Sequence, residues 1–218
     1  MPRDGTVTRE RILDEAHTLI LEHGLNGTSL DQVIEKAGIT KGAFFYHFKS
    51  KDDLALKLIQ RFAQADEATL RDVTARAEAL SRDPLQQLLI MVGLQIEMFR
   101  KTANPACLFA SFCFAANLAT PQIKGICHTA FAKWRDVISA KMKLAAEKYP
   151  PAMPVNFDDV ADMANTVVEG AMIMANACGD PEMVPRHLEQ YRNYIELLFS
   201  AKDSAKKPSK PVRAKARA

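Results

Sequence analysis

A chain of 218 residues, 48% hydrophobic and 25% charged, has room for a small module plus a larger bundle and is too apolar to remain unfolded. No stretch approaches about 18 uninterrupted apolar residues, and the start MPRDGTVTRERIL lacks an apolar signal core, so a cytoplasmic protein with no membrane partner is expected. The net charge of +3 is uneven: residues 202–218 carry seven Lys/Arg against Asp203 alone, a net of +6, which leaves the rest at −3.

Between breakers, almost every segment repeats its apolar residues at three and four positions, and none alternates with the period of a strand, so the predicted fold is all-α with about nine helices. Helix 1 carries Ile12, Leu13, Ala16, Leu19 and Ile20 on one face, with Thr6 or Thr8 as N-cap and Gly24 as its stop. Helix 2 starts at Thr28 or Ser29, where Ser29 and Gln32 have capping-box spacing, and runs to Gly38. After Gly38-Ile39-Thr40, Thr40 caps a third helix from Lys41 to Phe48, and Ser50 with Asp53 caps a fourth, longer one.

Leu54, Leu58 and Phe62, continued by Leu70 and Val73, mark the buried side of helix 4, which fades near Ser81-Arg82-Asp83. Pro84 suits the first turn of helix 5, whose stripe is Leu85, Leu88, Leu89, Val92, Ile96 and Phe99. Residues 106–118, ACLFASFCFAANL, are apolar on all sides and predict an enclosed helix; Thr120-Pro121 opens helix 7, which ends at Tyr149-Pro150-Pro151. Two last helices, about 158–178 and 183–200, form a hairpin across Gly179-Asp180-Pro181. Their apolar residues exceed the needs of one small bundle, and Val160, Met163, Val167, Ala171, Leu188, Tyr191, Ile195 and Leu198 are expected at a homodimer interface.

Helices 2 and 3, joined by a tight Gly-containing turn, make a helix-turn-helix over about 29–48. Phe44 and Phe48 lie four apart and belong inside, leaving Lys41, Ala43, Phe45 and Tyr46 to face DNA. Residues 1–60 hold eight Lys/Arg against nine acids, so the motif and not the charge carries this reading.

The run TSLDQVIEKAGITKGAFFYHFKSKDDL, Thr28 to Leu54, resembles the tetracycline-repressor (TetR) family signature along its whole length, and a looser likeness extends over RERILDEAHTLILEHG and the later helix count. The resemblance implies that Lys41, Gly42 and Ala43 open the recognition helix over the major groove and that Phe45 contacts thymine methyls. It further implies that Tyr46, His47 and Lys51 bind phosphates, with Thr28, Ser29 and Thr40 adding phosphate contacts. Ile34 departs from the family's usual small Ala, and Phe45 stands where Tyr is common. The expected organisation is a DNA-binding domain over 1–52, a ligand-binding and dimerisation domain over 53–201, and a disordered basic tail over 202–218.

The family's architecture places an effector pocket between helices 5 to 8, for which Met91, Met98, Phe99, Phe109, Phe112, Phe114, Phe131, Trp134 and Met172 are the candidates; that lining predicts an apolar or aromatic effector. The function expected is a sequence-specific repressor that binds operator DNA as a homodimer and is released when the effector shifts helix 4. Two alternatives stay open. Cys107, at a helix start where its pKa would fall, suggests a redox or electrophile sensor, and the basic tail suggests non-specific DNA binding. The other thiols, Cys113, Cys127 and Cys178, read as reduced. No catalytic, metal-binding or cofactor motif is visible, so neither an enzyme nor a cofactor is expected.

Overall fold

The computed structural model describes residues 5–113, 115 and 120–200. Among them are nine helices and no strand: α1 (Gly5–Gly27), α2 (Leu30–Lys36), α3 (Lys41–His47), α4 (Lys51–Leu80), α5 (Pro84–Arg100), α6 (Leu108–Cys113), α7 (Pro121–Lys148), α8 (Phe157–Cys178) and α9 (Met183–Leu198). No helix among the described residues is long and apolar enough to cross a membrane.

Most helix starts follow local chemistry. Ser29 and Gln32 form the reciprocal capping box of α2, Thr40 and Ser50 accept backbone N–H bonds at the starts of α3 and α4, and Asp83-Pro84 and Thr120-Pro121 open α5 and α7. Two expectations need correction. Gly24, the expected stop, does break the helix at φ 72°, but a further short helical stretch continues to Gly27. Of the enclosed helix expected over 106–118, residues 114 and 116–118 lie outside the described residues; the described part holds the short α6, which starts at Leu108, with Leu108, Phe109 and Phe112 buried and Cys113 exposed.

The helices bury their stripes in three clusters. One joins α1, α2, α3 and the start of α4 to α6 and the first half of α7, through residues such as Ile12, Phe44, Leu58, Phe109, Phe112 and Cys127. A second fills the space between α5, α7, α8 and α9, and a smaller third lies between α4 and α5 around Leu70, Val73, Ala77 and Met91. Arg61 of α4 pairs with Glu10 and Asp14 of α1 at 2.9 and 2.8 Å, so the N-terminal helices are fastened to α4 by charge as well as packing. The basic tail lies outside the described residues.

Candidate functional site

Two short helices at a fixed angle need a turn that reverses quickly. Gly38 supplies it at φ 60°, a left-handed conformation that costs a side-chain-bearing residue roughly 1 kcal/mol or more. Phe44 is fully buried and packs on Phe48 at 5.6 Å and edge-on to Phe45 at 5.4 Å, which fixes the rotation of α3 about its axis. The opposite face is then presented outward: Lys41 and Gly42 are exposed, Phe45 is 48% exposed and Tyr46 82% exposed, while Ala43 and His47 are half-buried. Two aromatic side chains held in water have no packing reason to be there, and the pattern suits a surface made for base edges and phosphates.

Ser29 and Thr40 are exposed at the starts of α2 and α3, where each hydroxyl accepts a backbone N–H at 3.2 Å and keeps its own hydrogen for an outside acceptor. Thr28 and Lys51 do not fit the phosphate-contact role expected of them. Thr28 is 2% exposed and donates to the Gly24 carbonyl at 2.9 Å, bracing the break in α1. The half-buried Lys51 donates its ammonium to the Leu25 carbonyl at 3.0 Å, so it ties α4 to the end of α1.

In the C-terminal bundle, α4, α5, α6, α7 and α8 surround a cavity of about 260 Å³, just below the about 300–1,000 Å³ usual for small-molecule sites. Met98, Phe99, Phe109, Phe131, Trp134 and Met172 line it. Met91 and Phe112 do not: Met91 is buried between α4 and α5, and Phe112 is buried in the N-terminal cluster, because an apolar residue on the far side of its helix packs against a different neighbour. Phe114 lies outside the described residues.

The cavity also holds polar groups that sequence reasoning missed: Asp66, Thr69, Gln95, Asn165 and Glu169. The indole N–H of Trp134 donates to both oxygens of Asp66, at 3.1 and 3.0 Å, linking α7 to α4. Burial pushes the Asp66 carboxyl above the ordinary carboxylate range, against the pull of that indole bond; burial does the same to Glu169, against its bond with Cys107. A signal was present for both. Asp66 sits four residues from Phe62 and from Leu70 on the buried stripe of α4, and Glu169 falls on the helical row of Asn165 and Met172.

Cys107 also lines the cavity, but its expected low pKa is reversed. Desolvation and the adjacent Glu169 carboxylate push the thiol well up, and the six-residue α6 is too short a dipole to offset them. Burial likewise drives Cys127 to about 12.

The expected dimer face is corrected too. Val160, Leu188, Ile195 and Leu198 are buried within one chain, in the cluster between α5, α7, α8 and α9, so they have little surface left for a partner. Met163 and Val167 instead line an open groove along α8 and α9, with the largely buried Ala171 and Tyr191 at its floor and Met174, His187 and Tyr194 beside them.

Comparison with known proteins agrees with both halves of this architecture. Residues 12–58 match the family of bacterial regulatory proteins called tetR, and residues 84–190 match the C-terminal domain of LmrA/YxaF-like transcriptional regulators. The chain belongs to the TetR family. This TetR-family regulator is 24% identical over 173 residues to the HTH-type transcriptional regulator LmrA of Bacillus subtilis, covering 77% of this chain and 86% of that protein. It is 47% identical to the regulator AcrR of Shigella flexneri over 52 residues, about a quarter (24%) of each chain. In fold it is similar to a TetR-family transcriptional regulator from Agrobacterium tumefaciens, with TM-score 0.74 and 24% identity over 90% of this chain and 100% of that one. A TetR regulator from Chloroflexus aurantiacus gives 0.71 at 20% identity, over 88% and 96%.

Proposed function

We propose that this TetR-family chain is a repressor that binds an operator as a homodimer and leaves it when a small molecule occupies the cavity between α4 and α8. The observation that carries the reading is α4 itself. Its N-terminus follows the recognition helix α3 directly, while Phe62, Ala65, Asp66 and Thr69 further along it line the cavity. From Lys51 to Asp66 is about 22 Å at 1.5 Å per residue, so one rigid rod spans from the DNA face to the ligand site.

A second connection runs through α6. Phe109 lines the cavity and stands 4.8 Å from Phe62, and α6 packs on α1 through the N-terminal cluster. A ligand that displaces Phe62 and Phe109 therefore pushes on both supports of the DNA-binding helices, residues 1–52, from within the domain formed by 53–201. Regulators of this family act as dimers; the groove along α8 and α9, with Met163, Val167, Met174 and Tyr194, is the face a second copy would cover. Two recognition helices fit half-sites one helical turn apart, about 34 Å, in one state and not in the other.

Binding of the purified chain to its own upstream DNA, with random DNA as competitor, tests the reading. Competitor-resistant binding that falls by about 2–4 kcal/mol in Lys41→Ala/Tyr46→Ala supports it, since two exposed contacts are removed without disturbing the core. Binding indifferent to sequence and to that variant would transfer the activity to the basic tail over 202–218.

A further inference from the structure

The cavity carries charge of one sign. Asp66 and Glu169 line it, and among the described residues no Lys, Arg or His does. Lys133 acts on Asp66 from α7, but its ammonium is paired with Glu67 at 2.7 Å. The Trp134 indole satisfies Asp66 as a hydrogen-bond donor without neutralising it. Glu169 is in a weaker position still: its Oε2 is buried and has no hydrogen-bond partner among the described residues. The walls between these carboxylates are aromatic, with Phe62 edge-on to Phe109 at 4.8 Å, Phe109 edge-on to Phe131 at 5.5 Å, and Phe99 and Trp134 completing the lining. Ring faces carry negative quadrupole density and attract cations in the same sense as the carboxylates.

We infer that the ligand of this cavity is a lipophilic cation, an amine or quaternary ammonium on an aromatic or apolar body, held by Glu169 and Asp66 as counter-charges between the phenylalanine and tryptophan rings. The inference takes from the proposed function only that the cavity is the effector site. It replaces the neutral apolar effector suggested by the hydrophobic lining alone, because a neutral guest would leave two desolvated carboxyls without a counter-charge, while a cation pairs with them. The buried Glu169 oxygen is then the negative atom that the ligand's positive charge faces.

A pH signature follows. Burial holds both carboxyls above their ordinary range, so protons compete with a bound cation for them. The groups facing the pair are Cys107 at the start of α6, Trp134 and Lys133 of α7, and Glu67 of α4. A quaternary ammonium does not titrate, so its affinity falls on acidification as the carboxyls take up protons.

The test uses the full chain without DNA. Benzyltrimethylammonium and its uncharged isostere neopentylbenzene are titrated calorimetrically, with the fluorescence of Trp134, the single tryptophan, as a second readout. The cation should bind about tenfold or more tightly than the isostere and weaken from about pH 8 to about pH 5. Glu169→Gln and Asp66→Asn, each confirmed as folded by circular dichroism, should each shrink the preference and together bring it towards one. Equal or tighter binding of neopentylbenzene, no binding of the cation, or a preference that survives in the double variant overturns the inference. Operator release is read separately by anisotropy: a cation that binds as described without releasing DNA upholds the ligand chemistry and sinks the effector role.

Discussion

The DNA-binding helices and the cavity in the C-terminal bundle are built in opposite ways. The first comes from one contiguous stretch, residues 29–48, in which caps, a left-handed glycine and two buried phenylalanines aim the outer face of α3. The second is assembled from five helices, with lining residues from Phe62 to Met172, and no two neighbours in sequence make a site by themselves. Recognition here is a surface, and outward-facing side chains on it that cap no helix can be changed with little effect on stability. The cavity is an interior, where every lining residue is also a packing contact.

Substitutions can sharpen or break that contrast. The largest effect is expected at the inner side of the recognition helix: Phe44→Ala should cost about 3–5 kcal/mol in urea unfolding and abolish specific DNA binding, because the anchor that sets the rotation of α3 is lost. A cost below about 1 kcal/mol would mean that the outer face is not aimed by the inner one. Thr40→Ala removes the cap of α3 and should cost about 1 kcal/mol, seen in the same unfolding curves and in a weaker operator complex.

Asp83 is the bundle's counterpart to that local cap. It caps α5 through the Gln86 N–H and also accepts from Lys148 Nζ at 2.6 Å and the Tyr149 hydroxyl at 2.7 Å, sixty-five or more residues away. Those two donors hold its carboxyl down at about 2, below its ordinary 3.8. A depressed folded-state pKa stabilises the fold above the ordinary range, and that contribution is lost as pH falls from about 4 through about 2. Asp83→Asn should therefore be less stable than the parent at neutral pH, and the gap between their unfolding midpoints should narrow over that acid window. A gap independent of pH would show that the clamp is not ionic. The smallest effect on stability belongs to Tyr46→Ala, within about 0.5 kcal/mol of the parent, although the same variant should weaken operator binding.

Local chemistry made the front of the chain legible. The Ser29–Gln32 box, the Thr40 and Ser50 caps and the prolines opening α5 and α7 are each decided within four residues. The stripes of α8 and α9 were equally visible, but periodicity says only that a helix face is covered. It does not say whether the cover is the same chain, and Leu188, Ile195 and Leu198 turn out to be covered by α5 and α8 of their own protomer. Cys107 was misjudged for a related reason: a helix start lowers a thiol's pKa in water, whereas burial beside Glu169 raises it.

The sequence by itself determined the all-helical fold and the orientation of the recognition helix, because both rest on spacings of three and four residues and on caps that act within one turn; the family came from the likeness of the run from Thr28 to Leu54 to a known signature. Tertiary structure alone decided which aromatics share a cavity, which stripes are closed within the chain, and that two acids from α4 and α8 meet among phenylalanines. Side-chain polarity is written residue by residue, but the dielectric and the partners that give a carboxylate or thiol its chemistry belong to the packed neighbours, and those arrive from distant parts of the chain.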